Sequence, residues 1–143
     1  GTESVIQIVG LGKACEIAKR DFDKNLRNML SMRERLLNGL KNKLGDKVKV
    51  NGNPGNTLPN TLSIAFDNVD AHALASFISN DVLISTGSAC HSGSTEISSV
   101  LKAMNVDIMT AAGTVRISTG KNTTVKEIDF ATERISNAVS RLS

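Results

Sequence analysis

The 143-residue chain contains no tryptophan and no tyrosine, and aromatic residues make up only 3% of it. Its core must therefore be aliphatic, and the scarcity of rings argues against a base-stacking platform for single-stranded nucleic acid. Only two cysteines occur, Cys15 and Cys90. They stand at unlike sites and form no disulfide framework, which favours a reducing compartment, the cytoplasm or an organelle matrix. No apolar run approaches membrane-spanning length, and no signal-peptide pattern is present. A strong excess of charge is lacking too. The net charge is +3, and basic and acidic residues alternate along the predicted helices as solvated faces rather than as a nucleic-acid patch. Neither an internal repeat nor a low-complexity segment interrupts the chain.

Metal binding and hydrolase chemistry are poorly supported. Cys90 and His91 are adjacent rather than at ligand spacing, Cys15 is remote, and a zinc site needs three or four convergent ligands. No nucleophile-elbow pattern accompanies the serines. Cys15, beside Ala14 and near Ile17, reads as a core residue, and His72 as a surface or capping residue at the start of a helix.

What is present is ordinary for one domain with a real core: 40% hydrophobic and 22% charged residues. The chain begins Gly1-Thr2-Glu3 without an initiator Met and reads as a piece of something longer. Residues 3–43 carry a long helical pattern, with Val5, Ile8 and Val9 and then Leu26, Met29, Leu30, Leu36, Leu37 and Leu40 at three- and four-residue spacing. Gly10 and Gly12 fall inside it, each costing about 1 kcal/mol relative to Ala, and suggest a break, a bend or a close helix approach. Gly45 ends the element as a helix C-terminal glycine.

Beyond it, Val48–Val50 and Thr61–Phe66 read as strands flanking the turn-rich segment 51–56. Asp70 is a good N-cap for a helix carrying Leu74, Phe77 and Ile78. Val82–Ile84 is expected as a third strand, residues 97–104 as a helix, and Thr114–Ser118 as a fourth strand. Thr124-x-x-Glu127 forms a capping box for a terminal helix. Strands and helices interleave without a regular crossover rhythm. The predicted fold class is therefore α+β, a small mainly antiparallel sheet packed with helices behind a long N-terminal helix.

The most informative stretch is Ser85-Thr86-Gly87-Ser88-Ala89-Cys90-His91-Ser92-Gly93. A packing cysteine normally has apolar neighbours, whereas these are small, hydroxylic or glycine, as in a flexible, solvent-reachable loop. Composition alone leaves open both a nucleophile or sulfur carrier and an inert surface thiol. His91 is a candidate influence on the thiol's pKa, although adjacency in sequence does not make the imidazole face the sulfur. Arg116 interrupts the apolar strand Val115-Arg116-Ile117. Either its face is solvated, the better reading taken alone, or its planar fork of donors is held for a carboxylate. Thr2 offers only a hydroxyl and a backbone N–H.

Together these pieces resemble the C-terminal part of the NifS-like cysteine desulfurases, aminotransferase class V enzymes that depend on pyridoxal phosphate. The resemblance spans essentially the whole chain. It rests on Gly1-Thr2-Glu3 leading into Ile8-Val9-Gly10-Leu11-Gly12-Lys13-Ala14, on Leu58-Pro59-Asn60-Thr61-Leu62, on Ser88-Ala89-Cys90, and on Val115-Arg116-Ile117-Ser118 before Thr123-Thr124-x-x-Glu127-Ile128-Asp129. It implies a helical connector at residues 1–45 and, at 46–143, the small domain of a fold-type I pyridoxal-phosphate enzyme, with the cysteine loop at 85–94. It implies that Cys90 takes sulfur from L-cysteine as a persulfide, leaving L-alanine, for transfer to an acceptor or scaffold protein, as in iron–sulfur cluster assembly. Arg116 would bind the substrate carboxylate, reversing the bland reading. Asn60 would lie near substrate and cofactor, Thr2 would reach the cofactor phosphate of the partner subunit in a homodimer, and a long, mobile cysteine loop would carry the thiol.

One departure is plain: no lysine directly follows a histidine, so the family's cofactor lysine and the large domain around it have no counterpart here. The Cys90–His91 pair also resembles the sister selenocysteine lyases, and a non-enzymatic persulfide carrier or docking module, or a purely structural dimerisation piece, are the further alternatives.

Overall fold

The first 44 residues are almost entirely one helix, α1 (Val5–Leu44), and a four-stranded sheet with shorter helices follows it. The computed structural model describes residues 1–87 and 98–143. Helix α1 runs through Gly10 and Gly12 without a break, and a Cβ added at either would meet nothing within 4 Å. The expectation of a break or a close approach there therefore fails. Two single-residue propensity costs do not interrupt a long helix, because propagation closes one hydrogen bond for each residue fixed. The helix stops where predicted, at Gly45, whose φ of +59° suits a residue without a side chain.

Strands β1 (Val48–Val50), β2 (Thr61–Phe66), β3 (Ser85–Thr86) and β4 (Thr114–Ser118) form a wholly antiparallel sheet in the order β1-β2-β4-β3. Three of the four match the sequence reading. The third does not: Val82–Ile84 is not a strand, and pairing begins one residue later, with Ser85 opposite Arg116. The cause is local. The amides of Asp81 and Val82 both donate to the carbonyl of Ile78 at 2.9 Å, so the chain is still wrapped around a helix end when the apolar triplet passes. That helix, α2 (Ala71–Ile78), starts as expected, with the Asp70 carboxylate accepting from the Ala73 amide at 2.8 Å.

Two five-residue helices, α3 (Ser99–Ala103) and α4 (Ile108–Ala112), precede β4. Helix α4 was not anticipated, being too short for a periodicity signal. Its Asp107 N-cap accepts from the Thr110 amide at 2.9 Å. The turn from α4 into β4 lies directly on the end of β2. A Cβ at Gly113 would come within 2.4 Å of the Phe66 carbonyl oxygen, so only glycine fits this approach. The terminal helix α5 (Val125–Leu142) opens on the predicted capping box between Thr124 and Glu127.

Alternation along the strands decides where the core sits. Leu62, Ile64 and Phe66 of β2 and Val115 and Ile117 of β4 point to one face, all buried. Met32, Leu36 and Leu40 of α1, Leu74 and Ile78 of α2, and Ile128, Ile135 and Val139 of α5 cover that face. Each fully buried Leu or Ile contributes about 1.5–3 kcal/mol relative to exposure, so this aliphatic layer supplies the main drive for folding. Among the described residues, the sheet's other face carries no helix layer of this kind. The result is the α+β architecture expected.

Candidate active site

The opposite face of the sheet is built from the alternate residues of the same strands. Register places Thr61 beside Ser118, and Ser63 and Ser85 on either side of Arg116. Polarity on this face follows from the sequence, since strands reading Thr-Leu-Ser-Ile and Val-Arg-Ile-Ser put every second side chain away from the core. Asn51, just past β1, extends the network by donating from Nδ2 to Ser63 Oγ at 3.2 Å and to Thr114 Oγ1 at 3.0 Å. The Thr114 hydroxyl in turn donates to the Thr110 carbonyl at 2.8 Å.

Arg116 is exposed in the middle of this hydroxyl-lined face. Among the described residues no carboxylate or other acceptor engages its guanidinium. By contrast, Arg35 pairs with Asp129 at 2.7 and 2.9 Å and Arg33 with Thr57 at 2.6 Å. An unpaired fork of donors among hydroxyls is suited to receive a carboxylate from outside. The solvated-face reading of the strand is correct as geometry, and the same geometry leaves the guanidinium available.

Asn60 sits one residue before β2. Its carbonyl accepts from the Thr119 amide at 2.9 Å, continuing the β2–β4 ladder, and its Oδ1 accepts from the Thr61 hydroxyl at 3.2 Å. It thus lies at the Ser118 end of the central strand pair, opposite Thr119, which is three residues from Arg116 or about 10 Å at the usual rise. Thr2 is exposed ahead of α1 and far in sequence from this face. Cys90 and His91 lie outside the described residues. The chain enters their segment from Ser85 and Thr86, the strand paired directly with Arg116.

The expectation that Cys15 belongs to the core is incorrect: it is exposed. Residues 1–20 are exposed throughout, including Val5, Ile6, Ile8, Val9 and Leu11, so an apolar pattern in this half of α1 does not translate into burial within the chain. His72 is exposed at the start of α2, as anticipated.

The sequence reading missed Arg33. It is buried, and its Nη1 donates to Thr57 Oγ1 and, at 3.0 Å, to the Leu58 carbonyl. A signal was available. Arg33 stands four residues after Met29 and beside Met32 on the stripe that continues through Leu36 and Leu40, and a charge on an apolar helix face requires partners when buried.

The pattern of the aminotransferase class-V family matches residues 1–130, and the chain belongs to that family. Within it, the sequence is similar to the cysteine desulfurase IscS of Vibrio vulnificus strain YJ016, at 40% identity over 142 residues, covering 99% of this chain and 34% of the relative. The same protein of Vibrio campbellii is 41% identical over 142 residues, covering 99% of this chain and 34% of that relative. A solved NifS-like protein shares the fold with a TM-score of 0.80 at 34% identity, covering 99% of this chain and 35% of that one. A NifS-like protein from Rickettsia africae matches with a TM-score of 0.79 at 28% identity, covering 98% of this chain and 36% of that one. The chain spans about a third of the length of these relatives.

Family membership implies dependence on pyridoxal phosphate. Such a site needs an enclosed lysine amine, a platform for the ring and donors for the phosphate. The residues here do not make one by themselves. Every lysine of the chain is exposed, and the one on the polar sheet face, Lys49, is committed to Asp67 at 2.8 Å. Two open grooves on the described surface lie elsewhere, one between α1 and α5 around Arg35 and Asp129, the other around Asp67, Asp70 and Asp107. Neither includes Arg116, Asn60 or Thr2.

Proposed function

We propose that this chain is the part of a pyridoxal-phosphate-dependent cysteine desulfurase that binds the substrate carboxylate and accepts its sulfur. The observation that carries the reading is the Arg116 guanidinium, which no acceptor among the described residues engages, on a hydroxyl-lined sheet face flanked by the strand that leads into the Cys90 segment. Cys90 is the fifth residue after Ser85, at most about 18 Å of extended backbone. A thiol on that tether is within reach of a ligand seated on Arg116.

The reaction assigns each residue a task. Arg116 holds the carboxylate of L-cysteine by paired N–H···O contacts and so fixes the amino acid's orientation. The Cys90 thiolate attacks the substrate sulfur. An S–S bond forms as the substrate C–S bond breaks, and the electron pair of that bond leaves with carbon, which takes up a proton to give L-alanine. The enzyme sulfur then carries the persulfide for exchange with an acceptor thiol. His91 is assigned the role of favouring the thiolate, Asn60 a contact to the bound substrate, and Thr2 a hydroxyl for the cofactor phosphate of a partner subunit in a homodimer. The cofactor and its lysine belong to the portion of the protein that the relatives possess beyond this chain, and the setting is a reducing compartment.

The test is made in the protein carrying this chain together with its cofactor-binding portion. Release of sulfide and alanine from L-cysteine falls to background in Cys90→Ala, and mass spectrometry finds one additional sulfur on Cys90 of the parent after turnover. Undiminished turnover by Cys90→Ala rejects the assignment. Strong discrimination against L-cysteine in favour of selenocysteine moves the protein to the lyase group, whereas a Cys90 that accepts persulfide only from an outside donor makes it a carrier.

A further inference from the structure

One short stretch of α1 gathers both chain segments at the Asn60 end of the sheet. On one side, Arg33 donates from Nη1 to Thr57 Oγ1 at 2.6 Å and to the Leu58 carbonyl at 3.0 Å. On the other, Asn28 donates from Nδ2 to the carbonyls of Lys121 and Thr123 at 3.2 Å each, and the Met29 carbonyl accepts from the Thr119 hydroxyl at 3.3 Å. The two segments meet where the Thr119 amide donates to the Asn60 carbonyl at 2.9 Å.

Arg33 is the buried member of this clamp, only 8% exposed. Its other two nitrogens are engaged as well, since Nε and Nη2 both donate to Glu34 Oε1. The segment it holds buries little of its surface. Residues 55–58 are exposed and contain no strand, and the Leu58 side chain is 67% exposed. A loop that buries so little apolar surface owes its conformation to its hydrogen bonds. The two Arg33 contacts lie two and three residues ahead of Asn60, close enough to set the backbone from which that side chain projects.

We propose that Arg33 is a positioning residue for Asn60: its guanidinium fixes the Thr57–Leu58 backbone and thereby the approach of Asn60 to bound substrate. This rests on the substrate role of Asn60 proposed above. It adds a route by which the placement of α1 reaches the Asn60 end of the sheet, because the same helix stretch holds both segments.

The experiment uses the protein with its cofactor-binding portion and two readouts. Amide hydrogen exchange follows the loop: in Arg33→Met, the hydrogen-bonded amides of Asn56 and Thr61 exchange at least about tenfold faster while those of Ile64 and Val115 in the central strands keep their rates. Unchanged exchange at Asn56 and Thr61 overturns the clamp itself. Kinetics follow its consequence: Arg33→Met and Asn60→Ala each lower kcat/KM for L-cysteine, the double variant is no worse than Asn60→Ala alone, and Arg33→Lys recovers part of the loss. Additive losses overturn action through Asn60. Unaltered kinetics in Asn60→Ala reject the substrate role of that residue, and with it the catalytic consequence of the clamp, a result distinct from failure of the exchange test. Should Arg33→Met not fold, Thr57→Val removes one of the two acceptors of Arg33 Nη1, and a smaller acceleration at the same amides is the expected result, its absence the refuting one.

Discussion

The two faces of one sheet differ in what holds them and in what they leave free. On one face, Leu62, Ile64, Val115 and Ile117 disappear beneath α1, α2 and α5, and their burial drives folding. On the other, Thr61, Ser63, Ser85, Arg116 and Ser118 contribute hydroxyls and a guanidinium that the described residues do not consume, apart from the Asn51 contact to Ser63 and the Thr61 contact to Asn60. Residues adjacent in sequence thus divide between stability and chemistry. The pleat separates the two tasks by a single residue, so a change at one position need not disturb the other.

The sharpest way to break this contrast is to exchange the expected costs. Ile64 is fully buried, and Ile64→Ala should lose about 2–5 kcal/mol in urea unfolding through lost transfer energy and a residual cavity. On the polar face of the same sheet, Ser118→Ala should stay within about 0.5 kcal/mol of the parent. Equal losses at the two positions would remove the distinction.

Next in size is a purely functional loss. Arg116→Met should leave the unfolding midpoint nearly unchanged, because no partner among the described residues is orphaned. In the cofactor-bearing protein it should lower kcat/KM for L-cysteine about 30-fold or more, equivalent to about 2 kcal/mol at 1.36 kcal/mol per tenfold. A large stability loss without a kinetic one would reassign Arg116 to the structural face.

The smallest effect concerns acid. The Arg35 guanidinium holds the Asp129 carboxyl below its ordinary range, and the Thr124 hydroxyl and backbone amide do the same for Glu127. Depressed values in the folded state mean that these groups stabilise fully above the ordinary carboxylate range, and that the contribution is lost as pH falls through the lowered values. Both are exposed, so the loss is modest. Urea midpoints measured on acidification should decline less steeply in the Asp129→Asn, Glu127→Gln double variant. An identical slope would show that neither carboxylate contributes.

Local signals were legible wherever the responsible interaction is itself local. The alternation of Thr61–Phe66, the Asp70 cap, the Thr124–Glu127 box and Gly45 all involve partners within a few residues, and all appear as read. The misreadings occur where a distant contact, or its absence, decides. Cys15 and the apolar residues from Val5 to Leu11 have the pattern of burial but nothing of this chain against them among the described residues. The start of β3 depends on how α2 ends, and Arg33 acquires meaning only when the Thr57–Leu58 segment, 24 and 25 residues away, folds against it.

By itself the amino-acid order determined the helix and strand types, their caps, the two-faced pattern of the strands and the family to which the chain belongs. The strand order β1-β2-β4-β3 was decided only in three dimensions, and with it the placing of Ser85 beside Arg116 and of Asn60 beside Thr119. The physical reason is range. Caps and alternation are set by sterics and hydrogen bonds within one or two turns of chain, whereas neighbours across a sheet are chosen by which buried faces pack together.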